Sequence, residues 1–282
     1  MQIRRLALVI AVLAAPGAPQ QKGKERNMSP QQVVEQVRRK QKAILESGGI
    51  GADSGPALVG LLKDKDPGVR DLAVRCLDLA GGPAAPEGLL QALEDPIEMT
   101  RAAAARFLHT HATAANLPAI RKQLASNHVE YVREQMALLI GEIGGAADIP
   151  ILAARRQGEK DEATLHAILL ARCRLGDATA TQEFLGQLSV DDPAIRVARL
   201  EDLPYIHDAK LASHVVPLLD DVRPGKNVGP SHGPYFIRVC DVAINELNKL
   251  LNQPFPFGID FMRRYTPDEI ARAKAIAGMP RM

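Results

Sequence analysis

Residues 56–82, PALVGLLKDKDPGVRDLAVRCLDLAGG, set the pattern that the rest of the chain repeats. Leu58, Val59, Leu61 and Leu62 put one apolar face on a first short helix. Asp66 then stands where an N-cap is wanted, and Pro67 occupies the first helical position, where a missing N–H costs nothing. A second helix carries Val69, Leu72, Ala73, Cys76, Leu77 and Ala80 at steps of three and four, one continuous buried stripe. Asp71, Arg75 and Asp78 share another, solvated face. Gly81 and Gly82 end the helix, because glycine enters the left-handed conformation without steric cost.

Aligned on Val69, later copies place Thr100, Val132, Thr164, Ile195 and Val239 at the same point, at spacings of 31, 32, 32, 31 and 44 residues. Four residues on come Ala73, Ala104, Met136, Ile168, Arg199 and Ala243; eight on come Leu77, Leu108, Ile140, Arg172, Leu203 and Leu247. Cap-type residues precede the second helices at Asp66, Asp95, Asn127, Asp161 and Asp192. The signature Asp-Pro-x-Val/Ile-Arg occurs at Asp66–Arg70 and again at Asp192–Arg196. Self-similarity at such a period marks a solenoid, here an all-α superhelix of about six helical hairpins with a capping helix at each end.

The segments VRDLAVRCLDLAG and VREQMALLIGEIGG resemble HEAT-like repeats, in particular the short form found in bilin (phycobilisome) lyases and many bacterial scaffold proteins. The resemblance covers about residues 56–252 and implies architecture far more than activity. In that family Asp66, Arg70, Asp192 and Arg196 fall at interhelix cap and ladder positions, which carry structure and not catalysis. Arg172, Arg199 and Pro204 depart from the usual apolar or alanine pattern in copies four and five.

Residues 1–18 read as a secretory signal peptide, with a basic Met1–Arg5, an apolar Leu6–Ala15 and small residues from Ala14 to Ala18. Ten apolar residues are about half of a membrane-spanning helix, so no stable anchor is expected after cleavage. The expected compartment is periplasmic or extracellular. Losing Arg4 and Arg5 takes the 35 basic residues down by two, level with the 33 acidic ones. That balance provides no global field for nucleic acid. With aromatics at 4% and no tryptophan, stacking platforms for bases or sugars are not expected either.

Residues 19–29 read as a polar tether and 30–47 as an N-terminal capping helix, Pro30–Glu46, with Val33, Val34, Val37, Ile44 and Leu45 inward. Copies one to five run from Pro56 to about Ile206, with the pair Thr179 and Gln182 expected as a capping box. Copy six has helices expected at Lys210–Leu219 and Tyr235–Leu251, separated by an insertion, residues 220–234, DDVRPGKNVGPSHGP. Insertions in solenoids project from one edge and often bind partners. Residues 253–282 form a loop and a final helix that Thr266 caps.

No catalytic constellation stands out, and no cofactor is expected. Cys76, Cys173 and Cys240 belong to copies one, four and six, too far apart for a disulfide. Asp220, Asp221 and His232 are the weak candidates for a metal site, while His109 and His111 lie at the opposite solenoid edge from His128. The expected function is a non-catalytic scaffold that holds an unidentified protein or peptide. Its concave face would expose Asp71, Arg75, Arg106, Glu134 and Asp241, with Lys226, Asn227 and His232 on the insertion at one rim. The alternatives are an enzyme or enzyme accessory, as the bilin-lyase resemblance implies, and, less favoured, a helical-repeat DNA-binding protein.

Overall fold

The computed structural model describes residues 27–227 and 236–278, so the expected signal peptide, most of the tether and His232 lie outside the described residues. Helix α1 (Pro30–Arg38) starts at a reciprocal cap: Gln32 N–H donates to Ser29 Oγ at 3.3 Å, and Ser29 N–H donates to Gln32 Oε1 at 2.9 Å. The capping helix does not run on to Glu46 as its periodicity predicts. Lys40 adopts a φ of 52°, and the chain resumes as a short 3-10 turn over Lys42–Glu46. The break lets Ile44 bury alongside Val33 and Val37, and it lets the Lys40 ammonium reach Asp66 at 2.7 Å.

Five hairpins follow. They pair α2 (Gly55–Leu61) with α3 (Pro67–Ala80), α4 (Ala84–Ala92) with α5 (Glu98–His111), and α6 (Leu117–Ser126) with α7 (Glu130–Ile143). Next come α8 (Ile149–Gly158) with α9 (Glu162–Arg174), and α10 (Ala178–Leu188) with α11 (Pro193–Ile206). Asp66, Asp161 and Asp192 cap their helices through the N–H groups of Gly68, Thr164 and Ala194, each at 2.8 Å. Asp95 and Asn127 sit two residues ahead of the cap position and hold the turn by accepting from Ile97 N–H and Val129 N–H. At α10 the cap is Asp177, two residues before the expected Thr179, because its carboxylate receives both Thr179 N–H and Ala180 N–H.

The second helices α3, α5, α7, α9 and α11 pack each on the next, whereas the first helices pack chiefly on their own partners. This makes the second-helix row the inner, concave side of the superhelix. The closest approach is between α7 and α9. A Cβ on Gly141 would stand 2.8 Å from Ala171 Cα and 2.1 Å from the Tyr205 hydroxyl, so only glycine fits there. Tyr205, on α11, donates that hydroxyl to Leu138 O at 2.5 Å and so ties copy five to copy three.

Copy six is irregular. Its first helix breaks into two 3-10 turns, Ala209–Leu211 and Val216–Asp220, around α12 (Ala212–Val215). Strand β1 (Pro224–Asn227), within the insertion, pairs antiparallel with β2 (Phe236–Arg238), just beyond it, with an irregular register between Pro224 and Lys226. Helix α13 (Val239–Leu251) starts at Val239 rather than at the expected Tyr235, since β2 leads directly into it. Thr266 caps α14 (Pro267–Ala277), accepting from Glu269 N–H at 3.3 Å. One hydrophobic core runs from Val33 through the stacked hairpins to Ala273.

Candidate interaction surface

The arginine one residue past each aligned position does the same local job in four copies. Arg70, Arg101, Arg133 and Arg196 each reach back six residues to a carbonyl, those of Asp64, Asp95, Asn127 and Val190, at 2.6–3.0 Å. Three of them also reach forward to a carboxylate in the next copy. Arg70 holds Asp95 at 2.6 Å, Arg133 holds Glu159 at 2.8 and 2.9 Å, and Arg196 holds Asp221 at 2.6 Å. Buried charges persist only when paired and hydrogen-bonded. Glu159 meets that condition fully: Arg133, Arg155 and the N–H groups of Lys160 and Asp161 all donate to it. Arg133 above all holds its carboxyl at about 2. Asp66 and Asp192 are caps, while Arg70 and Arg196 are the rungs between copies.

Histidines add further rungs. His111 meets Asp78 at 2.8 Å, His109 meets Glu142 at 2.7 Å, and His166 meets Asp202 at 3.0 Å, each pair joining neighbouring copies. Asp220 pairs with Lys274, and Asp221 is held well below the usual carboxylate range by Arg223 first and Arg196 second. Both weak metal candidates are thus engaged in ion pairs, with His232 outside the described residues. Among the described residues no three His, Cys, Asp or Glu side chains stand together as a metal site would require. Cys76, Cys173 and Cys240 are free thiols, pushed up by burial to about 12, 12 and 11.

The predicted inner-face residues divide. Arg106 is exposed, its guanidinium 5.0 Å from the Phe107 ring centroid, and Asp71 and Arg75 are half-buried and paired with each other at 2.9 Å. Glu134 and Asp241, expected to be exposed, are instead buried, at 6% and 0% accessible. Asp241 is covered by the C-terminal segment, accepting from Arg238 at 2.7 Å and from Tyr265 N–H at 2.9 Å. Glu134 sits where the second helices converge most tightly, and burial followed by the nearby Asp161 charge pushes it up to about 7. Its Oε1 has no hydrogen-bond partner among the described residues. Tyr131, one turn before Glu134, is 39% exposed and adds an aromatic ring to this surface.

The described part of the insertion, residues 220–227, packs against the solenoid rather than standing off its rim. Strand β1 lies on α11, and Lys226 pairs with Glu201, while Asn227 is exposed. Sequence reasoning passes over Glu201, since scattered acids on a solenoid mostly cap helices or face water. The signal was present in the repeat register. Six residues past each aligned position stand Arg75, Arg106, Leu138, Leu170, Glu201 and Asn245, a row along the inner face.

The family model for HEAT repeats matches residues 35–105 and 86–171. No curated protein matches the chain. Among solved structures, the chain aligns with one from the complex of CpcE and CpcF of phycocyanin lyase from Nostoc sp. PCC7120. Identity is 16%, covering 94% of this chain and 98% of that chain, with a TM-score of 0.47. With the repeat match laid over the stacked hairpins α2 to α9, the chain is a HEAT-like repeat protein.

Proposed function

We propose that this protein is a non-catalytic scaffold that holds a protein or peptide partner on the inner face of its first three copies. The observation that carries this reading is the contrast in how polar groups are used. Across the body of the solenoid, arginines, histidines and carboxylates are committed to rungs between copies. On the inner face of α5 and α7, Arg106 and Tyr131 stay accessible beside the Asp71–Arg75 pair. Arginine and tyrosine are the residue types that most often anchor interfaces. Mixed charge with an aromatic suits a polypeptide better than a polyanion.

The compartment belongs to the same proposal: the n-region, apolar core and small residues of 1–18 support export. N-terminal sequencing of the protein from its native cells checks that part, and an intact Met1 would remove it. For the binding face, a photo-crosslinking amino acid replaces Tyr131 in one variant and Glu87, exposed on the outer helix α4, in another. A discrete polypeptide adduct at Tyr131, absent at Glu87 and lost with Arg106→Glu, is the expected result. Equal adducts at both positions, or none at Tyr131, would refute the reading.

A further inference from the structure

The ribbon occupies an inner-face position that the other copies leave to side chains. Gly225 is wedged between helices: a Cβ there would lie 2.4 Å from Val197 Cγ2, 2.9 Å from Pro193 O and 3.4 Å from Val239 Cγ2. The next residue, Lys226, sends its ammonium to Glu201 on α11. Glu246, on α13, is 5% accessible and feels the charges of both Glu201 and Lys226. Its direct partner is Lys249, at 2.8 Å. The surface beneath β1 is therefore a slot with no room for a Cβ, followed one residue later by the Glu201 carboxylate, while Glu246 is held by Lys249. A slot followed by an acid reads a small residue and then a cation in an extended strand. The ribbon that fills it is a two-stranded pair of four and three residues, a unit with little stability of its own.

We propose that the inner surface of copies five and six is a docking site for an extended segment carrying a Gly-Lys pair, and that the chain's own ribbon is its resident competitor. The site rests on the reading of the inner face as an interaction surface, and it adds what that surface selects and how access is controlled. Val197 and Pro193 exclude any residue larger than glycine, while Glu201 pairs with the lysine. A partner strand displaces β1 and takes over its ion pair, so a tethered competitor at high effective concentration sets the threshold for binding.

The test uses the full chain and a synthetic hexapeptide of residues 222–227, VRPGKN. In the Lys226→Glu variant the ribbon sets a carboxylate against Glu201, and in Gly225→Ala it loses its fit, so each releases β1 by a different route. Hydrogen exchange at Lys226, Asn227 and Ile237 reports the release. Both variants are expected to bind the peptide at least tenfold more tightly than the parent chain. Peptides with alanine for the glycine or glutamate for the lysine should lose at least tenfold. Released ribbon amides without tighter peptide binding would overturn the site, as would binding indifferent to the two peptide changes. Ribbon amides that stay protected in both variants would overturn the competitor role. The crosslink at Tyr131 is independent of all three readouts, so failure here and failure of the scaffold reading are distinguishable.

Discussion

Replacing Glu159 by glutamine removes the charge from the most heavily bonded rung of the solenoid while keeping its shape. The native carboxyl is 2% accessible and is met by two guanidinium groups and two backbone N–H groups. Its pKa falls from 4.5 to about 2 on folding, Arg133 being the main cause. At 1.36 kcal/mol per pKa unit, that difference contributes about 3 kcal/mol of stability at neutral pH. A depressed acid contributes fully above its unfolded value and loses the contribution as pH falls through its folded value. The window is therefore pH 4.5 down to 2. Urea unfolding followed by helical circular dichroism at pH 7, 5, 4 and 3 measures the difference between parent and variant. The gap is expected to be about 3 kcal/mol at pH 7 and 5, and to shrink steadily below that. A gap under 1 kcal/mol at pH 7, or one that stays constant down to pH 3, would refute the assignment of Glu159 as an ionised structural node.

Glu134→Gln should behave in the opposite sense. Burial raises this acid to about 7 in the folded chain, so the parent loses stability as pH rises from 4.5 to 7 and glutamine recovers it. The variant is expected to be more stable by about 1–3 kcal/mol at pH 8 and equal near pH 4, measured by the same unfolding series. Gly141→Ala drives a methyl into the Tyr205 hydroxyl and the α9 backbone and should cost about 1–3 kcal/mol. Thermal unfolding of the variant with and without Tyr205→Phe checks this, since removing the hydroxyl should reduce the penalty. Cys76, Cys173 and Cys240, buried and raised to about 11–12, should not react with a thiol reagent until urea unfolds the chain. Rapid native labelling of any of the three would contradict their packing.

The hairpin architecture was legible in the sequence because its signals are local. Val69 and its equivalents recur at a near-constant step, Asp66 and Asp192 sit before prolines, and Gly81 ends a helix with a φ of 62°. Each of these acts within a turn or two of chain, so a linear reading captures it. The break at Lys40 and the start of α10 at Asp177 were not legible. The first goes with an ion pair from Lys40 to Asp66, 26 residues along the chain, and the second with the backbone N–H groups that Asp177 accepts from in competition with Thr179.

Tertiary structure alone decided which polar residues of the second helices reach water. Periodicity places Asp71, Arg106, Glu134 and Asp241 exposed on the concave face, yet Arg106 is exposed while Glu134 and Asp241 are buried. The difference lies in how closely successive hairpins approach, set by Gly141 against Ala171 and Tyr205, and in the tail that brings Tyr265 onto Asp241. Likewise, the position and length of the insertion could be read from a 44-residue step, but the inward placement of its strand β1 could not. That placement depends on the shape of the gap between Val197 and Val239 meeting a residue without a side chain, a fit between groups that only the folded chain brings together.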